Sequence, residues 1–358
     1  MPPRETLRTT DDLTEAGLIG LSDKAAIDKV GTAYAVALTG TVVRLIDRDD
    51  SNDPIARQFV PSAAELETKP DERDDPIGDA AFSPVDGIVH RYPDRVLLKL
   101  LHVCPVYCRF CFRRAAVGPG SEAFLDDAAL DAAFAYVAAK PEIWEVILTG
   151  GDPLTLSPRR LEDVSRRLAA IPHVKILRIH TRIPCVDPAR ITPELVGLLR
   201  ASGKTVYVAL HANHPRELTA EARAACALFI DAGIPMLSQS VLLRGVNDDA
   251  AILASLFRRF VECRIKPYYL HQLDLAPGTS HFRVPIAEGQ ALMRELQGRV
   301  SGLCLPRYML DIPGGHGKVP IESSYLTENG SECSFKVTDH SGRTHDYESV
   351  FKFDPQCS

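Results

Sequence analysis

Cys104-Pro105-Val106-Tyr107-Cys108-Arg109-Phe110-Cys111-Phe112-Arg113-Arg114 sets three cysteines at the spacing CxxxCxxC and follows them with an arginine pair. Soft thiolates suit zinc, copper or an iron–sulfur cluster. A closed zinc site wants four ligands, and here a tight local group of three stands alone. On a four-iron cubane, three thiolates leave one iron without a protein ligand and open to a cofactor. A zinc knuckle and three unrelated buried thiols are the competing readings of the same residues.

Immediately upstream, residues 96–101 form a short, bounded apolar run that reads as a buried strand. The cysteine loop therefore follows the C-terminal end of a strand. Downstream, apolar runs at 145–149, 174–181, 205–211, 235–243 and 266–272 alternate with amphipathic stretches at 126–140, 158–170, 192–201, 216–232, 248–262 and 286–298. Pro158 and Thr192-Pro193 mark helix starts, and Gly233 marks a stop. Strands alternating with helices mean a parallel sheet. The expected fold class is α/β, a partial (β/α)6 TIM-type barrel over residues 84–300. In such barrels chemistry gathers at the C-terminal strand ends. The cysteines, Gly150-Gly151-Asp152, His211 to His214 and Asp274 all fall at such ends.

Residues 1–83 read as a mainly helical accessory segment, with helical signals at 11–15 and 24–46 and a charged, solvated loop at 69–75. Residues 301–358 read as a short C-terminal segment. Within it, Asp311-Ile312-Pro313-Gly314-Gly315-His316-Gly317-Lys318 is a glycine-rich loop that follows no clear strand. Lys318 could touch phosphate, form a Schiff base with a carbonyl cofactor, or sit in a plain surface turn. Beyond it the chain is polar, with a small hairpin expected from 334–337 and 347–353.

The chain has 358 residues, 45% of them hydrophobic, and a formal charge of −6. Mild acidity argues against nucleic acid as the main partner. No apolar run is long enough for a membrane span. The polar Met1-Pro2-Pro3-Arg4-Glu5 start gives no expectation of an export signal. Nine cysteines in a chain of this length do not form a disulfide framework, so a reducing cytoplasm is the expected location.

Taken together these motifs resemble the lysine 2,3-aminomutase family of radical S-adenosylmethionine (SAM), pyridoxal phosphate (PLP)-dependent enzymes. The resemblance runs from about residue 84 to 320. It rests on HRYPDRVL (90–97), CxxxCxxCxRR (104–114), TGGDPL (149–154), HANHP (211–215), SQSVLLRGVND (238–248), YYLHQLDL (268–275) and PGGHGK (313–318), with a fainter trace at DPIARQ (53–58). It implies Cys104, Cys108 and Cys111 as ligands of a [4Fe-4S] cluster whose open iron chelates SAM. It implies that Gly150, Gly151 and Asp152 receive the SAM amino group, with His211 and Gln239 as polar neighbours. Lys318 becomes the lysine that carries PLP and acts in catalysis, with Arg91, Tyr92 and Arg95 in the PLP pocket.

The same resemblance assigns Arg113 to the substrate α-carboxylate, and Asp274 and Asp311 to the lysine ε-ammonium. Arg114 receives no role and reads as a solvated surface charge. The implied reaction converts L-lysine to β-lysine. A SAM-derived radical takes a β-hydrogen, the amino group moves from the α- to the β-carbon, and the hydrogen returns. A flavodoxin- or ferredoxin-type electron donor and a homo-oligomer are implied as well. Other readings are the same chemistry supplying (R)-β-lysine for elongation factor P, a mutase for another cationic amino acid such as arginine, and a non-catalytic zinc- or cluster-binding structural protein. The family's third loop glycine is His316 here. Asp249 follows GVND where the long family type has a zinc-binding cysteine, and Cys333 and Cys357 are isolated, so no structural zinc is expected. Cys185, Cys226, Cys263 and Cys304 read as ordinary core or semi-buried thiols.

Overall fold

The computed structural model describes residues 6–118, 123–331, 334–339 and 341–348. Its centre is a nine-stranded sheet in strict chain order: β1 (Ile88–Tyr92), β2 (Arg95–Leu101), β3 (Glu145–Gly150), β4 (Ile176–Thr181), β5 (Thr205–His211), β6 (Met236–Val241), β7 (Ile265–His271), β8 (Arg307–Ile312) and β9 (Gly317–Pro320). Neighbours from β2 to β8 pair in parallel, while β1 and β9 run antiparallel at the two edges. The architecture is a partial barrel.

All six expected strands are present. Three more went unrecognised, because β1, β8 and β9 are short and mix polar with apolar residues. The loop before Lys318 is thus not strandless: β8 leads directly into it and β9 carries the lysine.

The barrel helices start where side chains can take up the free N–H groups of the first turn. Asp126, Ser157, Thr192, Thr219 and Asp249 each accept from backbone N–H groups two or three residues ahead. Asp249, the residue after GVND, is therefore the cap of helix Ala250–Glu262. Strand periodicity sorts the side chains into two sets. On β4, Leu177 and Ile179 are fully buried in the main core under the helices, whereas Arg178 and His180 are only half-buried. Gln239 on β6 and His271 on β7 repeat the half-buried pattern. The barrel interior is therefore polar and the helix-facing layer apolar.

The N-terminal segment is helical in part, with helices Thr10–Glu15, Lys24–Ala33, Gly40–Leu45 and Pro54–Phe59. The loop at 69–75 is less solvated than expected. Glu72 pairs with Arg283 at 2.9 Å, its side chain only 2% exposed. The expected hairpin is present as β11 (Ser334–Thr338) and β12 (Thr344–Glu348), with its second strand starting earlier than expected, and β10 (Leu326–Ser331) joins them in a separate antiparallel sheet. Cys333, Cys357 and the far end of the expected hairpin lie outside the described residues.

Candidate active site

The cysteine loop leaves β2 and is stitched to the loop after β3. Gly151 N donates to Leu101 O at 2.6 Å, and Asp152 N donates to Val103 O at 3.1 Å. A Cβ on Gly151 would stand 2.1 Å from Val103 O, so only glycine permits this approach. The Asp152 carboxylate is occupied as well. It accepts from Leu154 N at 3.1 Å, from Thr181 Oγ1 at 2.8 and 2.9 Å, and from Arg182 N at 2.7 Å. Burial outweighs these bonds and raises its pKa to about 6. The Gly151 and Asp152 N–H groups and the Asp152 carboxylate thus tie β2, β3 and β4 together; the Asp152 carbonyl accepts from Thr155 N at 2.9 Å, and the Gly151 carbonyl remains as an acceptor.

Burial pushes all three loop thiols up: Cys104 well above an ordinary thiol, Cys108 to about 11, and Cys111 upward. Asp152 and the other two cysteines add to the rise at Cys104. Such thiols keep their protons until a metal displaces them. Among the described residues, no three His, Cys, Asp or Glu side chains converge as a cage for a single ion.

Beneath the loop lies a buried ion cluster that the sequence did not reveal. Arg109 Nε donates to the two Glu65 oxygens at 3.0 and 3.1 Å, and Arg114 pairs with the same carboxylate. Arg114 also stacks 3.6 Å from the Tyr34 ring centre. It is buried, not the surface charge expected from sequence. Burial works to raise the Glu65 pKa, but the two guanidiniums prevail and hold it below the usual carboxylate value.

Across the lumen, β4 to β9 present a second group. His211 Nε2 lies 3.1 Å from Gln239 Oε1. The His180 and His211 rings are 5.4 Å apart. His271 Nδ1 lies 3.8 Å from Asp311 Oδ2. Burial lowers the pKa of all three imidazoles, that of His211 to about 4, so they are neutral at pH 7. Lys318 Nζ pairs with Asp311, its neighbour across the β8–β9 hairpin. Asp311 Oδ1 is buried and has no partner among the described residues. Burial and the Asp311 charge raise the Asp274 pKa to about 7, with Lys318 and Arg113 pulling the other way.

Across the barrel opening, Lys318 N donates to Tyr92 Oη at 2.7 Å, and Arg95 stacks 3.9 Å from the Tyr92 ring centre. Arg91 and Arg113 meet on one carboxylate, that of Asp79. His316 is exposed, next to Gly314 of its own turn. Asp79, Glu65, His180 and His271 were not singled out from sequence. His180 and His271 had a readable signal, since each stands on a strand at half-buried register with the expected site residues. Asp79 and Glu65 had none, because only the folded chain brings residues 65 and 79 to the barrel mouth.

The radical SAM superfamily model matches residues 98–256. The L-lysine 2,3-aminomutase of Acetoanaerobium sticklandii is 38% identical over 355 residues, 99% of this chain and 85% of that protein. The L-lysine 2,3-aminomutase of Escherichia coli is 37% identical over 89% of this chain and 91% of that protein. The glutamate 2,3-aminomutase of Clostridioides difficile is 36% identical over 91% of this chain and 77% of that protein.

Proposed function

The chain belongs to the lysine 2,3-aminomutase family of radical SAM enzymes, and on that premise we propose that it isomerises L-lysine to β-lysine, using a [4Fe-4S] cluster, SAM and PLP. The observation that carries the substrate reading is the acid pair at the end of the lumen. Asp311 faces the Lys318 ammonium in this structure and keeps a second, buried oxygen unpartnered. Asp274 feels the same charge. Two carboxylates that feel each other's charge, one of them buried, are costly without a cation. Once Lys318 is committed to a carbonyl cofactor, the ε-ammonium of a lysine substrate can supply that cation. A glutamate side chain would bring a third carboxylate to the same place.

The donor chemistry fits the cofactors. Cys104, Cys108 and Cys111 would hold the cluster as a three-thiolate set. The carbonyl edge at 150–151 would accept from the SAM ammonium, beside His211 and Gln239. Lys318 would hold PLP, with Tyr92 and Arg95 against it and Arg91 offering a guanidinium to phosphate or phenolate oxygens. Arg113 would take the substrate carboxylate. When bound, these cofactors supply the hydrogen-abstracting radical and the carrier for the migrating amino group. The chain's own part is to orient the lysine by its two charged ends and to keep the lumen closed to solvent. No helix among the described residues is long and apolar enough to cross a membrane. The described cysteines are all free thiols, which suits a reducing cytoplasm and a flavodoxin- or ferredoxin-type electron donor.

The test is anaerobic reconstitution with iron, sulfide and PLP. SAM, dithionite and L-lysine are then added, and products are separated on a chiral column, with Lys318→Ala alongside. β-Lysine from the wild type and none from the variant is the expected result. SAM cleavage with lysine untouched would overturn the substrate assignment.

A further inference from the structure

Residues 75–82 of the N-terminal segment pack against the lysine loop and against Arg91 of β1. Asp75 fixes their turn by accepting from Asp79 N at 2.9 Å and Ala80 N at 2.8 Å. Gly78, at φ +69°, lies so close to the lysine loop that a Cβ there would stand 2.4 Å from Gly315 N. A Cβ on Gly315 would in turn meet the Phe82 ring at 2.5 Å. Arg91 is wrapped by the same segment, donating to Ile77 O at 2.7 Å and lying over the Phe82 ring.

At the centre of this strap, Asp79 divides its two oxygens between two arginines. Oδ1 accepts from Arg91 at 3.1 Å and Oδ2 from Arg113 Nη1 at 2.8 Å. All three side chains are only 10–11% exposed. Lys99 is close enough to feel both Arg113 and Asp79, and its pKa is lowered chiefly by burial and then by Arg113. Lys99 also feels Asp75 and Asp86, whereas Arg91 and Arg113 share the Asp79 carboxylate directly.

We infer that Asp79 is a positioning residue for recognition of the substrate carboxylate, holding Arg113 by one guanidinium edge against Arg91 and offsetting one of their two charges. This rests on the reading that Arg113 meets the α-carboxylate of lysine. A guanidinium has five donors, and among the described contacts Asp79 takes only Nη1 of Arg113. The bridged pair presents one net positive charge, which matches one carboxylate. Without Asp79, two guanidiniums in a poorly solvated site repel each other, and Arg113 keeps only its stacking on the Phe112 ring, 4.4 Å from the ring centre, with no carboxylate to fix its guanidinium.

The experiment titrates the cofactor-loaded protein, without reductant, with L-lysine and with 1,5-diaminopentane, following the PLP absorbance. The diamine lacks the carboxylate and has nothing to offer Arg113. Asp79→Asn should weaken lysine about tenfold or more, the scale of one charge-assisted contact, and leave the diamine within about twofold. Unchanged or tighter lysine binding would overturn the inference. So would an equal loss for both ligands, which is what a merely structural role would give. If Asp79→Asn does not load cofactor, Asp79→Glu keeps the charge at a longer reach, and the same selective loss is expected of it. A wild type that takes up PLP yet responds to neither amine removes the proposed function, and this inference with it. A wild type that binds lysine beside a variant that binds it equally removes the inference alone.

Discussion

Asp274 should place an acid limb near neutrality on the pH profile of lysine use. Burial, then the Asp311 charge, raises its pKa from 3.8 to about 7. A substrate ammonium needs the ionised form, and kcat/KM reports the ionisations of the free enzyme. At pH 6 about a tenth of a group with that pKa is ionised, so kcat/KM for lysine should fall roughly tenfold for each pH unit below the limb. Once lysine is bound, its ammonium stabilises the carboxylate, and the limb in kcat should lie lower than the limb in kcat/KM. The three lumen histidines are already neutral here and cannot supply the limb. Asp152, at about 6, is the nearest competitor. Steady-state rates of β-lysine formation from pH 5.5 to 8.5 separate them, with Asp274→Asn as control. The reasoning fails if the variant keeps the limb, or if the wild type is flat down to pH 5.5. Linkage gives an independent check. A carboxyl with a folded pKa above its unfolded value destabilises the fold increasingly as pH rises between the two, and fully above the folded pKa. Asp274→Asn should therefore raise the melting temperature of the cofactor-free protein at pH 8, with the gain shrinking as pH falls toward 4.

Two further substitutions test the ground beneath the site. Gly151→Ala puts a methyl group 2.1 Å from Val103 O, so the cysteine loop must shift. Reconstituted iron per chain should fall by half or more while far-ultraviolet circular dichroism is unchanged, and full iron loading would refute the close approach. Glu65→Ala leaves Arg109 and Arg114 buried without their shared anion, which costs about 3–5 kcal/mol. Urea unfolding should show a loss on that scale, and a loss under about 1 kcal/mol, ordinary for an exposed pair, would contradict the burial.

The βα alternation was legible in the sequence because buried parallel strands are short, continuous apolar runs set off by capping residues. Where that signal weakens, the reading stopped. β8 places Asp311 between Leu310 and Ile312, and β9 holds only Gly317–Pro320, so neither stands out as an apolar run. The lysine loop therefore looked unsupported. The positions of Cys104 and Asp274 could be read because each follows closely on a recognised strand, β2 or β7, whereas Lys318 was assigned by the family resemblance alone. The partners of those residues could not. Arg114 looks like any arginine after a motif until Glu65, 49 residues earlier, folds beneath it. Asp79 stands in the motif-less run 76–82, just past the charged loop, and it becomes informative only when Arg91 and Arg113 arrive on its two oxygens.

The ionisation pattern of the lumen is that of a site whose charges depend on what fills it. Ordinary barrel interiors are packed with branched apolar side chains, whereas this one holds His180, His211, His271, Asp274, Asp311 and Lys318 around a shared space. Burial pushes the imidazoles toward neutrality, and it pushes Asp274 and the three loop thiols toward their protonated forms. Each shift lowers the cost of keeping a polar group away from water, and the ligand that needs the charged form must reverse it. In the proposed function, iron has to displace protons from Cys104, Cys108 and Cys111, and an ammonium has to draw one from Asp274. Both loading events should therefore release protons, measurably so in weakly buffered solution. The positive charges behave differently. Arg109 and Arg114 are matched by Glu65, and Arg91 and Arg113 by Asp79, before any ligand arrives. Among the acids, Asp311 is likewise matched, by Lys318, and Asp274 and the three loop thiols are the groups held toward their neutral forms.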